Sequence, residues 1–192
     1  MGCGKLSGIA AAAALSSIVG SRMTATTSGD KKALYARLFV SAQDFSYARS
    51  YALHLLKKGW HSAPYERRGT VYMQQAAFTT ALIVSYARPF TKGIGWPRFP
   101  ESLVQYDAQA AQLHRHILDL RHQVYAHSDS ARYSIRPFKM GANVFSDIIG
   151  IPFIKLSKDE CTLLVSMIDG IRERLRQKLD TFRKEIVSEG NS

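Results

Sequence analysis

The sequence has little of what disulfide-linked, metal-binding and phosphate-loop proteins are built from. It contains two cysteines, Cys3 and Cys161, too few and too far apart for a disulfide framework. No Cys/His cluster has the spacing of a zinc site, and His114 and His116 fall on different sides of a helix. No glycine-rich phosphate loop of the Walker or dinucleotide type occurs. We therefore expect neither a metal nor a bound cofactor.

Acidic residues are also scarce relative to basic ones. The chain has 15 Asp and Glu against 26 Lys and Arg, a formal net charge of +11. Such an excess favours an anionic partner: RNA, DNA, a nucleotide or a membrane surface. A basic but inert surface is the other interpretation. The length of 192 residues and the apolar fraction of 46% predict one domain with a continuous core.

Long apolar runs are limited to the N-terminal region. Residues 6–20 are rich in Ala, Ser and Gly, but the run is shorter than the about 20 apolar residues of a membrane span. This run is either a signal peptide or the result of a translation start placed too far upstream, with Met23 as the true start, and we favour the second interpretation. We expect residues 1–29 to be disordered or dispensable, residues 30–188 to form a helical domain, and the protein to be cytoplasmic without membrane contact.

Four segments repeat apolar residues with the period of a helix. They span residues 30–58, 66–88, 102–125 and 157–186, and the last opens with Ser157 and Glu160 of a capping box. Four such segments predict an all-α fold, an antiparallel four-helix up-and-down bundle. The second helix is apolar over most of its circumference and should be central, whereas Asp44 should lie on the solvated face of the first. Residues 130–156 lose the period and predict an irregular segment or a short β-hairpin that turns at residues 141–143.

Aromatic residues alternate with cations in the loop of residues 89–102. Phe90, Trp96 and Phe99 either cap the end of the helices or stack on bases beside Lys92 and Arg98, and we favour capping. Just before this loop, Arg88 closes the second helix. There a structural role and contact with phosphate are equally compatible with the sequence.

The strongest chemical signal lies at the end of the third helix, where Arg121, His122 and His127 occur within seven residues. Arg presents a planar fork of donors that suits phosphate oxygens, and His transfers protons near neutral pH. On a straight helix, Arg121 and His127 would lie about 240° apart. We expect the helix to end near Tyr125 or Ala126, so that His127 either folds back or faces a second copy. Alternatively, these cations merely favour the helix C-terminus.

The spacing of Arg121, His122 and His127 resembles the Arg-polar-spacer-His signature of the HEPN superfamily (higher eukaryotes and prokaryotes nucleotide-binding domains). Residues 126–129 and 86–90 also resemble a bacterial branch of small HEPN proteins. The resemblance implies an antiparallel helical bundle that forms a homodimer. It also implies metal-independent ribonuclease activity, although some members only bind nucleotides.

On this resemblance we expect an endoribonuclease, a toxin or defence effector with a possible antitoxin partner. His127 would act as acid or base, Arg121 would hold the phosphate, and His122 would support the site. Further binding residues are expected among the neighbouring polar and basic side chains. These are Arg88, Ser128, Asp129, Arg132 and Arg136. The alternatives are a non-catalytic module that binds RNA or a nucleotide, and a purely structural helical dimer.

Overall fold

The computed structural model describes residues 28–63, 66–122, 134–150 and 155–189. Within them lie four helices, α1 (Ser28–Lys58), α2 (Gly69–Ala87), α3 (Ala108–Leu120) and α4 (Lys158–Glu189), and two strands, β1 (Ser134–Met140) and β2 (Asn143–Gly150). The fold is therefore mostly helical, as the sequence predicts, with a small β-hairpin before the last helix, one of the two forms expected there. The segment expected to be disordered lies outside the described residues, except Ser28 and Gly29 at the start of α1.

Among the described helices, α1 makes the most extensive contacts, against α2 and α4. Its buried face includes Leu38 and Phe45, neither of which is exposed to solvent. The expectation that α2 is central was wrong. Met73 is 72% exposed, and Ala76 and Ala77 on the same helix are also exposed. Because α2 is apolar on most of its sides, its sequence pattern does not reveal which side packs against the core.

Polar contacts between α1 and α4 show that these helices run in opposite directions. Near the start of α1, the Arg183 Nε donates to the Tyr35 hydroxyl at 3.2 Å. Further along, the Arg49 Nε donates to Asp169 Oδ1 at 2.6 Å. As residue numbers rise along α1, those of its partners on α4 therefore fall.

The third helix is shorter than the sequence indicated. A 3₁₀ turn at Glu101–Leu103 precedes it, and the helix starts at Ala108 rather than near residue 102. The Asp107 side chain accepts a hydrogen bond from the Ala110 N–H at 2.8 Å and caps the helix. Leu103 fits the helical period, but it packs from the separate 3₁₀ turn. The expected end near Tyr125 lies outside the described residues.

Helix α4 begins with the capping box that the sequence predicts. The Glu160 N–H donates to Ser157 Oγ at 3.1 Å, and the Ser157 N–H donates to Glu160 Oε2 at 2.7 Å. These two hydrogen bonds satisfy donors that a helix N-terminus leaves free. One turn further, Cys161 is fully buried.

The hairpin turns at Gly141, whose φ of +64° lies in the left-handed region that favours glycine. The strands pair antiparallel, with Phe138 opposite Phe145 and Pro137 opposite Ser146. The two phenylalanine rings stack with centroids 5.8 Å apart, and each ring is 43% exposed. The turn predicted at residues 141–143 is therefore confirmed.

Candidate functional site

Arg121 and His122 lie at the C-terminal end of α3, where the helix widens into a π turn. The Arg121 N–H donates to the carbonyl oxygens of both Ile117 and Leu118. Ile117 and Leu120 are buried and anchor this end of the helix. The backbone of Arg121 is therefore fixed by the fold, while its side chain is half-buried and the His122 side chain is exposed. π turns occur frequently at functional sites.

Of the remaining predicted site residues, the structure describes Arg88 and Arg136. His127, Ser128, Asp129 and Arg132 lie outside the described residues. Arg136 is exposed on β1, directly opposite Asp147 of β2. Arg136 therefore belongs to the hairpin rather than to the helical core.

Arg88 forms an ion pair with a buried carboxylate. Its Nη1 lies 2.6 Å from Asp44 Oδ1, and the Asp44 side chain is 5% exposed while that of Arg88 is 55% exposed. Burial raises the pKa of Asp44, and the attraction of Arg88 partly offsets this rise. The expectation that Asp44 is solvated was wrong, because its partner comes from another helix. Arg88 thus has a structural role, and its exposed edge still faces solvent.

Arg37, unlike Arg88, is a buried cation, and the sequence analysis missed it. Its guanidinium donates to three main-chain carbonyls after α2, those of Arg88 at 3.3 Å, Pro89 at 2.6 Å and Thr91 at 3.2 Å. One buried group on α1 therefore holds the first part of the 89–102 loop. A signal was available, since Arg37 and Asp44 are seven residues apart on the stripe that carries Leu38.

The 89–102 loop and α3 line an open pocket of about 620 Å³, a volume typical of ligand sites. Its walls combine aromatic rings, two cations, one carboxylate and one imidazole. The lining side chains that bear these groups are Phe90, Trp96, Phe99, Lys92, Arg98, Glu101 and His114. The pocket is therefore both aromatic and basic.

Two of the loop rings belong to the core, as the capping interpretation predicts. Phe90 and Phe99 lie 5.7 and 5.9 Å from the Phe45 ring, measured between centroids. Trp96 differs, because it is 42% exposed and lies with its ring centroid 5.9 Å from the Arg37 guanidinium carbon. Its indole is held in place and still reaches solvent.

His114 ends a chain of hydrogen bonds at the pocket wall. The Tyr86 hydroxyl lies 2.8 Å from His114 Nδ1 and 2.8 Å from the Tyr106 hydroxyl. Burial lowers the pKa of His114, and Arg115 lowers it further. Burial also raises the pKa of Tyr106 to about 12 and that of Tyr86 further. These three groups are therefore uncharged at neutral pH.

The pocket and Arg121 lie on one side of α3. His114 and Leu118 line the pocket, and Arg121 follows Leu118 by three residues. Residues spaced by four and three lie on the same face of a helix. Arg121 is therefore the next side chain along the face that forms the pocket wall.

The lowered pKa of His114 leads to a stability prediction. As the pH falls below 6.5, the ordinary pKa of histidine, His114 binds a proton in the unfolded chain more readily than in the folded chain. Stability from neutral His114 is therefore complete above pH 6.5 and is lost as the pH falls through the lowered pKa. We expect the free energy of unfolding in urea to fall more steeply in wild type than in His114→Gln between neutral pH and about pH 5. Equal slopes would contradict this assignment.

In the described part of the chain, no group of three or more His, Cys, Asp or Glu side chains could hold a metal ion. None of the described helices is both long and apolar enough to span a membrane. Comparisons with protein-family models, with curated proteins and with solved structures gave no match to this chain.

Proposed function

We propose that the protein is a HEPN-like, metal-independent endoribonuclease whose catalytic residues are Arg121, His122 and His127. One observation supports this proposal most strongly. Arg121 lies at the fixed end of α3, on the helix face that also forms the wall of a basic, aromatic pocket. A cation for phosphate beside rings for bases is the combination that single-stranded RNA requires.

The reaction needs a proton acceptor, a proton donor and positive charge. The 2′-oxygen of a ribose loses its proton and bonds to the adjacent phosphorus, while the bond from phosphorus to the 5′-oxygen breaks. The leaving oxygen takes up a proton, so the products carry a 2′,3′-cyclic phosphate and a 5′-hydroxyl. In this scheme His127 transfers protons, Arg121 stabilises the charge on the phosphate, and His122 supports the site.

The proposal includes the architecture of an antiparallel four-helix up-and-down bundle. Contacts link α1 with α2, α2 with α3, α3 with α4, and α4 with α1, the closed ring of neighbours expected for that topology. It also includes a homodimer, because a twin subunit would supply a second Arg–His pair. A cytoplasmic toxin or defence effector, with an antitoxin as partner, completes the proposal.

The pocket itself favours a second candidate, a module that binds RNA or a nucleotide without cleaving it. Lys92 and Arg98 would neutralise phosphates, so binding would weaken steeply with added salt. This candidate predicts a stable complex and no products.

Incubation of the purified protein with a single-stranded RNA in EDTA tests the proposal. We expect shortened RNAs that end in cyclic phosphate, detected by mass spectrometry. The same sequence with 2′-deoxyribose throughout is the matched control and should remain intact, because it lacks the nucleophile. An uncleaved RNA that nevertheless binds would contradict the nuclease and favour the binding module.

A further inference from the structure

We propose that the pocket between the 89–102 loop and α3 binds one nucleotide unit of the RNA, with its base against Trp96 and its phosphate on Lys92 and Arg98. This inference rests on the proposed function, since it names the subsite that positions RNA beside Arg121. It assigns a role to three loop residues that lie outside the Arg–His motif.

The aromatic part of the pocket is suited to a flat ring. Trp96 is 42% exposed, and the Arg37 guanidinium lies near its ring. Gly93 allows this packing, because a Cβ there would lie 3.2 Å from Trp96 Cδ1. The indole is thus positioned before any ligand arrives. A base that stacks on a preorganised ring loses little binding energy to ordering the site.

The charged part of the pocket is suited to a phosphate. Lys92 and Arg98 both line it and both are exposed, so their charges face solvent at the pocket. Glu101 also lines it, and its carboxylate suits the amino or hydroxyl groups of a nucleoside rather than the phosphate. These groups together favour a molecule that is aromatic at one end and anionic at the other.

His114 supplies a polar contact in the pocket wall. Its Nδ1 is engaged by the Tyr86 hydroxyl at 2.8 Å, so the ring nitrogen left for a ligand is Nε2. The ring is also fixed against Phe90, with centroids 4.6 Å apart. A neutral, oriented imidazole can hydrogen-bond to a base edge without the cost of burying a charge.

The helix connects this subsite to the motif. His114, Leu118 and Arg121 lie on one face of α3. An RNA whose base is held at His114 would therefore extend its neighbouring phosphates along this face towards Arg121. A phosphorylated tyrosine side chain would also combine a ring with a phosphate, but it has no further phosphate that could contact Arg121. The substrate assigned here is therefore single-stranded RNA.

Binding of an uncleavable DNA oligonucleotide of the RNA sequence separates the subsite from catalysis. The Trp60→Phe variant leaves Trp96 as the single tryptophan of the two in the chain, so its fluorescence reports on the pocket. We expect quenching by the oligonucleotide and, more weakly, by a mononucleotide. In this background the Lys92→Ala/Arg98→Ala double variant should weaken binding about tenfold or more. Trp96→Ala in the wild-type background, followed by fluorescence anisotropy of a labelled oligonucleotide, should weaken it about tenfold.

The matched control is Lys57→Ala/Lys178→Ala, which removes the same charge from exposed positions on α1 and α4 and should retain most of the affinity. Equal losses in both double variants would overturn the subsite and leave only general electrostatic attraction. Binding of O-phosphotyrosine as tight as that of the oligonucleotide would also overturn it.

The nuclease is judged separately, because wild type that binds in the pocket but cleaves no RNA supports the subsite alone. Conversely, unchanged affinity and KM in the pocket variants would reject the subsite while cleavage supports the nuclease.

Discussion

Replacing Arg37 with alanine is expected to lower the free energy of unfolding by about 2–5 kcal/mol, because buried carbonyl oxygens lose a charged donor. In this variant the carbonyl oxygens of Pro89 and Thr91 lose the Arg37 donor, whereas that of Arg88 keeps its hydrogen bonds from Thr91. The buried Asp44 also loses one of two nearby cations. An unpaired buried polar group alone costs about 1–3 kcal/mol. Urea unfolding followed by circular dichroism would measure the change.

Arg176→Ala is the matched control for this prediction. The Arg176 side chain is 63% exposed and pairs with Glu173 and Asp180 on its own helix, so its loss should move the urea midpoint far less. Arg37→Lys should fall between the two, since lysine keeps the charge but its shorter side chain does not place the ammonium where Nη2 of Arg37 contacts the three carbonyls. If Arg37→Ala and Arg176→Ala shift the midpoint equally, the structural role of Arg37 is rejected.

Replacing His127 with alanine is expected to slow RNA cleavage by about 10²- to 10⁴-fold, the usual contribution of one acid–base group. His127 lies outside the described residues, so this prediction rests on the motif and on the position of Arg121. Arg121→Ala should cause a comparable loss, because charge on the phosphate would no longer be stabilised. Single-turnover rates with a labelled RNA measure both effects, and circular dichroism verifies that the variants fold.

The control for the histidine is His116→Ala, which removes an exposed imidazole from the same helix and should cleave at nearly the wild-type rate. The control for the arginine is Arg115→Ala, another exposed cation of α3. Undiminished cleavage by His127→Ala would eliminate the proposed mechanism. If Arg121→Ala also cleaved RNA at the wild-type rate, the activity would come from a contaminating nuclease.

Elements with strong local signals could be predicted from the sequence. Helix α1 was expected at residues 30–58 and spans Ser28–Lys58, because its apolar stripe is regular and Gly59, with φ of +62°, ends it. The capping box at Ser157 and the turn at Gly141 were also confirmed. Each of these features depends on residues only a few positions apart, so the sequence contains the whole signal.

Features that depend on distant residues could not be predicted. Asp44 looks solvated in the sequence, because its partner Arg88 is 44 residues away. The start of α3 was misplaced because Leu103 continues the helical period from a separate 3₁₀ turn, whereas the Asp107 cap decides where the helix begins. The pocket is built from a loop without any period, so only the fold reveals that Lys92, Arg98 and His114 share one cavity.

The hairpin has a consequence for self-association. In the described part of the chain its sheet has only two strands, so each strand has one edge with unsatisfied main-chain groups. Proline is confined to edge strands because it cannot donate to a ladder, so Pro137 in the middle of β1 disfavours a third strand beside β1. A foreign strand would therefore add to β2, where Val144 is 65% exposed. At high concentration, that edge is where chains would begin to aggregate.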